Sequence, residues 1–274
     1  MPIPTDISYI ADPVVAPDGT VEFTCSQDVE AWPWLELPPY HPIVIQTQCF
    51  WVSIGGALAR GTLDPTRWSA LTWDNWHTRP TATKHAARGR ISNIELKGDD
   101  AFEIMLWDED GGELCDLCGK GVVFRTRDFE GWRAGAKSDV GKNGPAPTLD
   151  YAPRSETGVP DGEYSLISRL TDDAKPSATG LITAENGLPP ASRHLTGSGD
   201  HVNATHLAEC ARQFAALYEK DPGVIIAGGD CRFVHYVEIG SPFRVDLNNR
   251  DLNYMYLTVS QAGRDCSYIQ LEIH

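Results

Sequence analysis

His41 is the first residue whose type and position could do chemistry. It follows Tyr40 in the Pro-rich turn LPPYHP, directly before a long apolar segment. An imidazole ionises near neutral pH, so a histidine placed in a turn can take up or return a proton in general acid–base catalysis. The alternative is structural, with the ring capping the helix that follows. Tyr40 is interpreted as a packing or substrate-orienting residue, because a tyrosine nucleophile is hard to generate at neutral pH.

Glu209 and Gln213 lie four residues apart in the segment HVNATHLAECARQFAALYEK. In a helix this spacing puts them on one face, opposite the apolar stripe of Leu207, Phe214 and Leu217. That polar face could simply be solvated. If it is buried instead, Glu209 becomes a candidate general acid, because burial raises the pKa of a carboxyl group.

The stretch DHVNATH places His201, Asn203 and His206 at the start of the same helix. The N–H groups at a helix N-terminus point outward and stabilise negative charge, so these residues are candidates for substrate binding. Ordinary N-capping is the alternative, and both Asp200 and Asn203 are suitable capping residues. The two roles can coexist.

The seven cysteines do not form a metal-binding pattern. The pair Cys115 and Cys118 makes a single CxxC, whereas zinc needs four ligands and no second pair accompanies it. We therefore expect no metal and no resident cofactor. An odd number of cysteines spread over a long chain is typical of a reduced, cytoplasmic protein. The first residues, MPIPTDISYIADP, also lack the basic and apolar regions of a secretory signal.

The charge balance narrows the range of partners. Lys and Arg number 23 against 38 Asp and Glu, which gives a formal net charge of −15. Nucleic acids and anionic membranes attract positive surfaces, so neither is expected as a partner. We expect no membrane-spanning segment, because no run of 18 apolar residues occurs. A hydrophobic fraction of 41% is sufficient for a sizeable folded core.

The elements that must position these residues form two similar halves. In the first half, a short strand at 21–25 precedes a buried helix from Ile43 to Gly61. Alternating apolar residues and turn signals then predict four strands. These strands are expected at 71–76, 86–96, 101–107 and 114–126.

The second half repeats that order, with two short strands, a helix over 201–220 and then four more strands. A stretch rich in Gly, Pro and Ser separates the halves and predicts a linker. We therefore expect an N-terminal unit at 1–135, a linker at 136–161 and a C-terminal unit at 162–274. A long helix followed by an antiparallel meander, found twice, indicates the α+β class.

A helix wrapped by an antiparallel sheet, twice in one chain, resembles the double hotdog fold. The segment HLAECARQF is similar to the central helix of hotdog dehydratases and of the A-factor synthase family. That helix carries an acidic residue, then small or apolar residues, then Gln, and Glu209 and Gln213 match those positions. His41 occupies the place of the dehydratase histidine. The His-Val-Asn stretch that begins at His201 is similar to one that precedes the helix in many hotdog thioesterases.

The resemblance implies an enzyme that acts on an acyl thioester of a carrier protein or of coenzyme A. Dehydration of a β-hydroxyacyl thioester is the first expectation, in fatty-acid, polyketide or other specialised biosynthesis. His41 from one half would remove the α-proton, and Glu209 from the other would protonate the leaving hydroxyl group. A single mixed site is expected, because the first helix carries no Asp or Glu. Substrate binding would fall to Tyr40, His201, Asn203, His206 and Gln213.

Other activities fit the same scaffold. The His-Val-Asn stretch favours thioester hydrolysis, or acyl transfer with decarboxylation, with a water held near Glu209. A pathway-specific cyclase or isomerase and a ligand-binding scaffold without chemistry are further alternatives. The substrate would carry phosphopantetheine or coenzyme A, whose phosphate Arg125, Arg127 and Arg133 could hold. The alternative for these arginines is the charge pattern of an edge strand. The acidic surface disfavours docking of an acidic acyl carrier protein, and either a monomer or a homodimer is compatible with a double hotdog.

Overall fold

The structure is a computed structural model that describes residues 8–64, 67, 69–124, 131, 133–135, 137–138, 148–197 and 199–274. The chain divides into two compact units. The first contains residues 1–124 and 227–230, and the second contains residues 125–226 and 231–274. Residues 136 and 139–147 of the predicted linker lie outside the described residues, as do Arg125 and Arg127.

The first unit is an antiparallel sheet with one long helix. Its strands are β1 (Ile10–Val15), β2 (Val21–Cys25), β3 (Ser69–Thr78), β4 (Arg88–Leu96), β5 (Asp99–Trp107) and β6 (Glu113–Val123). They lie side by side in the order β1-β2-β4-β5-β6-β3. The strands predicted after the first helix are confirmed. In β5, Ile104 and Leu106 are buried and alternate with half-buried neighbours, as a period of two requires.

Helix α1 (Pro42–Ala59) is the long helix of this unit, and a 3₁₀ helix (Pro33–Glu36) precedes it. Pro42 begins α1 because its ring presets the helical φ and its missing N–H would have had no partner there. Gly55 and Gly56 let the helix approach the sheet closely. A Cβ at Gly55 would lie 2.5 Å from Ile10 of β1, and one at Gly56 would lie 2.7 Å from Ile91 of β4.

Helix α1 bears on the expectation that the chain has no membrane-spanning segment. With a mean hydropathy of 1.3 over 18 residues, α1 is long and apolar enough to cross a membrane by those two criteria. However, 61% of the segment is buried inside the structure, and the core helix of a globular protein meets the same criteria.

The second unit also combines an antiparallel sheet with one long helix. Its strands are β7 (Ser177–Gly180), β8 (Ile226–Phe233), β9 (Phe243–Arg250), β10 (Tyr254–Gln261) and β11 (Arg264–Ile273), and residues 227–230 of β8 group with the first unit. Strands β11, β10, β9 and β7 lie side by side in that order, each antiparallel to the next. The short helices α2 (Arg154–Thr157) and α3 (Ala184–Gly187) precede the long helix α4 (Ala204–Glu219).

Helix α4 begins at a capping box. The Asn203 side chain accepts the N–H of His206 at 3.1 Å, and Nδ1 of His206 accepts the N–H of Asn203 at 3.4 Å. Two of the N–H groups at the start of the helix are thereby satisfied within the chain. The helix ends at Lys220, which adopts the left-handed conformation with φ of 56°.

Candidate active site

The structure distributes the predicted site residues over both units. Tyr40 and His41 belong to the first unit, and His201, Asn203, His206, Glu209 and Gln213 belong to the second. The mixed site of His41 and Glu209 therefore stays a prediction.

His41 caps helix α1. Its Nδ1 accepts the N–H of Ile43 at 3.3 Å, and its own backbone N–H donates to the carbonyl oxygen of Pro38 at 2.9 Å. The ring and the neighbouring Tyr40 are half-buried. The capping role that the sequence offered as the alternative is thus present, and a half-buried position leaves a second role open.

Glu209 lies inside the second unit, paired with Arg212. Arg212 donates from Nε to Oε2 at 2.8 Å and from Nη2 to Oε1 at 2.6 Å, and both side chains are 4% exposed. Gln213 donates a further hydrogen bond to Oε1 at 2.9 Å. A carboxyl group that accepts a two-point hydrogen bond from a guanidinium is an ionised carboxylate. In this arrangement the Glu209 carboxylate accepts hydrogen bonds and carries no proton that it could donate.

The Glu209 cluster also connects α4 to the preceding segments of the chain. The side-chain carbonyl of Gln213 accepts the N–H of Leu166 at 2.8 Å, and Nη2 of Arg212 donates to the carbonyl oxygen of Thr157 at 3.1 Å. These bonds satisfy backbone groups that would otherwise be buried without partners. The cluster thus holds α4 against the preceding segments. Of the two alternatives that the sequence left open for this face, burial is found and solvation is not.

His206 is fully buried between α3 and the capping residue of α4. Its Nε2 lies 2.6 Å from the carbonyl oxygen of Gly187, and its Nδ1 lies 2.7 Å from Oδ1 of Asn203. Burial lowers the pKa of His206 to about 4, against a smaller opposite effect of the Gly187 carbonyl. The imidazole is therefore neutral at pH 7, and both of its nitrogens are engaged.

His201 occupies a different environment. Val202 and Val237 form an antiparallel bridge, in which the N–H of Val202 donates to the carbonyl oxygen of Val237 at 2.8 Å. Both valines are buried, so the bridge fixes residues 200–203 beside residues 236–238. The His201 ring consequently packs on Tyr236, with 4.4 Å between ring centroids. Its side chain is 25% exposed, so unlike Glu209 it is accessible to a substrate.

Asp200 holds the His201 ring. Nδ1 of His201 lies 3.2 Å from Oδ2 of Asp200. The same carboxylate accepts a hydrogen bond from Nε of Arg133 at 2.9 Å and one from Lys137 at its other oxygen. The hydrogen bond with His201, followed by those with the two cations, holds the pKa of Asp200 well below its usual range. The Asp200 carboxylate thus remains ionised at neutral pH.

Arg133 is buried between two carboxylates. It donates from Nη1 and Nη2 to the two oxygens of Glu238 at 2.7 and 2.6 Å, and its Cζ lies 4.3 Å from the centroid of the Tyr236 ring. With its side chain 3% exposed, Arg133 is not placed to hold a phosphate group of a substrate. The sequence-based suggestion that it does so is therefore wrong.

Sequence reasoning missed several residues of these clusters. Asp200 was recognised as a cap and not as the partner of His201, although the two are adjacent in the chain. Arg212 stands three residues after Glu209, a spacing at which helical side chains meet, so this pair carried a readable signal. Glu238 and Tyr236 carried none, because they meet Arg133 and His201 through the tertiary fold.

Metal ligands do not assemble within the part of the chain that the structure describes. There, no three His, Cys, Asp or Glu side chains are grouped as they would be around a metal ion.

Comparison with known proteins shows similarity in structure and none in sequence. Neither a family model nor a curated protein sequence matches the chain. The 12:0-ACP thioesterase from Umbellularia californica matches with a TM-score of 0.57 at 13% identity, over 95% of this chain and 99% of that one. An acyl-ACP thioesterase from Bacteroides thetaiotaomicron matches with a TM-score of 0.56 at 13% identity, over 93% and 97% of the two chains.

The erythromycin dehydratase is less similar, with a TM-score of 0.49 at 12% identity over 97% of this chain and 95% of that one. At such low identities a structural match establishes the fold and not the activity. The antiparallel sheets and long helices agree with the fold that the central-helix sequence predicted. The chain has the hotdog fold of the two acyl-ACP thioesterases.

Proposed function

We propose that this protein hydrolyses an acyl thioester, with His201 as the general base and Asp200 as the residue that orients it. The pairing of Asp200 with His201 carries the proposal. A carboxylate occupies Nδ1 of a partly exposed imidazole, which leaves Nε2 to exchange a proton with a substrate or a water molecule. The similarity to two thioesterases supports the same assignment.

The reaction needs only water and the thioester. Nε2 of His201 takes a proton from water as the water oxygen bonds to the thioester carbonyl carbon. The negative charge that develops on the carbonyl oxygen is assigned to the first turn of α4. There the N–H of His206 is bound to Asn203, and the N–H groups of Ala204 and Thr205 are the remaining donors. Cleavage of the C–S bond then returns the proton from His201 to the thiolate, yielding a carboxylic acid and a thiol.

Dehydration is less well supported by the side chains in the second unit. A dehydratase needs an acid that protonates the leaving hydroxyl group, and the Glu209 carboxylate is occupied by Arg212 and Gln213. Hydrolysis does not require Glu209 to donate a proton. The buried pair can therefore hold α4 in place while His201 performs the chemistry.

The proposed architecture is a double hotdog, in which each unit supplies one long helix and one antiparallel sheet. Helices α1 and α4, of 18 and 16 residues, would be the two central helices. The proposed substrate is an acyl chain on the phosphopantetheine arm of an acyl carrier protein or of coenzyme A. Both carriers present the same thioester to His201, so a test must include both.

The test is incubation of the full chain with acyl-coenzyme A and acyl carrier protein thioesters, including 3-hydroxyacyl and 2-enoyl forms. Thiol release would be followed with a thiol reagent and the acyl product by mass spectrometry. We expect free acid and thiol, and a decrease in kcat/KM of about 10²–10⁴ for His201→Ala, the usual contribution of a general base.

A matched control is available in His77, which lies 3.5 Å from Asp116 on an exposed part of the first unit. His77→Ala should leave hydrolysis unchanged. Loss of one water from the 3-hydroxyacyl substrate without thiol release would instead establish dehydration. In that case His41→Ala and Glu209→Gln, and not His201→Ala, should abolish the reaction.

A further inference from the structure

We infer that Arg133 is a positioning residue that holds Asp200 in the one orientation from which it can fix the His201 ring. The inference rests on the proposed hydrolysis, in which His201 is the base. It adds a chain of hydrogen bonds from the buried Glu238 and Arg133 to the partly exposed Asp200, which connects this base to the core of the second unit.

Hydrogen bonds engage all three nitrogens of the Arg133 guanidinium group. Nε donates to Oδ2 of Asp200, while Nη1 and Nη2 donate in parallel to the two oxygens of Glu238. The Cζ atom stacks over the Tyr236 ring, the same ring on which His201 packs. A rigid planar fork with this many partners has a single orientation, which a flexible lysine side chain could not reproduce.

Asp200 connects Arg133 to the His201 ring. Its Oδ2 lies 2.9 Å from Nε of Arg133 and 3.2 Å from Nδ1 of His201, so one oxygen joins the two side chains. Lys137 occupies the other oxygen. Because both oxygens are held, the carboxylate cannot rotate away from the imidazole.

Glu238 anchors the other end. Its backbone N–H donates to Oε1 of Gln261 at 2.7 Å, and its carbonyl oxygen accepts from Nε2 of the same glutamine at 3.1 Å. Gln261 is buried at the end of β10. The sheet, rather than the loop that carries His201, thus fixes the orientation of the base.

The contact with Asp200 selects one tautomer of the neutral His201 imidazole. With Asp200 held against it, His201 must carry its proton on Nδ1 and keep Nε2 unprotonated for catalysis. If Arg133 is shortened, Asp200 can rotate and the ring can adopt the Nε2–H tautomer, which is inactive as a base. A residue that serves only stability would not change the tautomer of a folded protein.

The experiment measures the tautomer of His201 by ¹⁵N NMR of histidine-labelled protein above pH 8, together with kcat and KM. In the natural protein we expect the Nδ1–H tautomer. In Arg133→Met we expect the Nε2–H form to dominate and kcat to fall about 100-fold while KM changes little, as for a misoriented catalytic group. Arg133→Lys keeps the charge without the fork and should recover only part of kcat.

Arg169→Met provides the matched control. Arg169 also pairs with a glutamate, Glu156, in the second unit, but on an exposed surface, so neither tautomer nor kcat should change. If Arg133→Met fails to fold, Glu238→Gln removes the anchoring charge and keeps the volume, and it should shift the tautomer in the same direction.

The outcomes separate the inference from the proposed function. An unchanged Nδ1–H tautomer in folded Arg133→Met or Glu238→Gln would overturn the positioning role, whatever the activity. Full recovery of kcat by Arg133→Lys would also overturn it, because charge alone would then suffice. A natural protein that hydrolyses no thioester would refute the proposed function, while the tautomer measurement would still report whether Arg133 holds Asp200 against His201.

Discussion

Both oxygens of Glu209 accept hydrogen bonds from Arg212, one turn further along the same buried helix. The pair is almost without solvent contact, so neither charge can be hydrated if its partner is removed. Burial and pairing thus distinguish Glu209, which the sequence marked as an acid, from the partly exposed His201, which we propose as the base.

Glu209→Gln is therefore expected to lower the free energy of unfolding. It would leave the Arg212 charge buried without a counter-charge, which typically costs roughly 3–5 kcal/mol. The double variant Glu209→Leu with Arg212→Met should recover most of that loss, because it removes both charges together. Urea unfolding of the natural protein and of the two variants checks this, and a Glu209→Gln protein as stable as the natural one would contradict the pairing.

Asp200→Asn is expected to reduce hydrolysis with little loss of folded protein. The amide cannot act as a charged acceptor for the Nδ1–H of His201, so the favoured tautomer reverses. We expect kcat to fall by at least about 100-fold, with thiol release as the measurement. Asp116→Asn, at the exposed pair with His77, is the control. Equal kcat values for the natural protein and Asp200→Asn would remove Asp200 from the mechanism.

His206 should make the protein less stable in mild acid. Its pKa is about 4 in the folded state, below the value of about 6.5 expected for an unfolded chain, so the unfolded state binds more protons between these values. The contribution of neutral His206 to the free energy of unfolding is complete above pH 6.5 and is lost as the pH falls toward 4. The loss is at most about 3 kcal/mol.

His206→Gln tests this pH dependence. The difference in unfolding free energy between the natural protein and the variant, measured in urea at pH 7.5, 6 and 5, should shrink as the pH falls. A difference that stays constant from pH 7.5 to 5 would show that His206 is not held neutral in the fold.

Gly158 should tolerate no side chain. It ends α2 with φ of 66°, and a Cβ there would lie 1.8 Å from the carbonyl oxygen of Pro222. Gly162 also has a positive φ, of 87°, but nothing lies within 4 Å of its Cβ position. Gly162→Ala should thus cost only the backbone strain of about 1–2 kcal/mol, and Gly158→Ala clearly more. Equal melting temperatures for the two variants would contradict the close contact.

The amino-acid sequence by itself determined both long helices and the strands that follow them, but of the two short strands expected before α4 the described residues contain β7 alone. Helices predicted at 43–61 and 201–220 are found at 42–59 and 204–219. Asn203 was identifiable as a cap, and the strands of the first unit follow from their alternation. These features arise from contacts between residues a few positions apart, so a short window of sequence contains all the information that they need.

The tertiary structure alone decided which candidate side chains are buried and which are accessible. Glu209, Gln213 and His206 carry suitable groups, yet their partners bury and saturate them, whereas His201 keeps an accessible ring beside Asp200. Arg133 is 67 residues from Asp200 and 105 from Glu238 along the chain. The pairing of groups so far apart depends on the path of the intervening chain and on what else is buried there, and no local pattern encodes either.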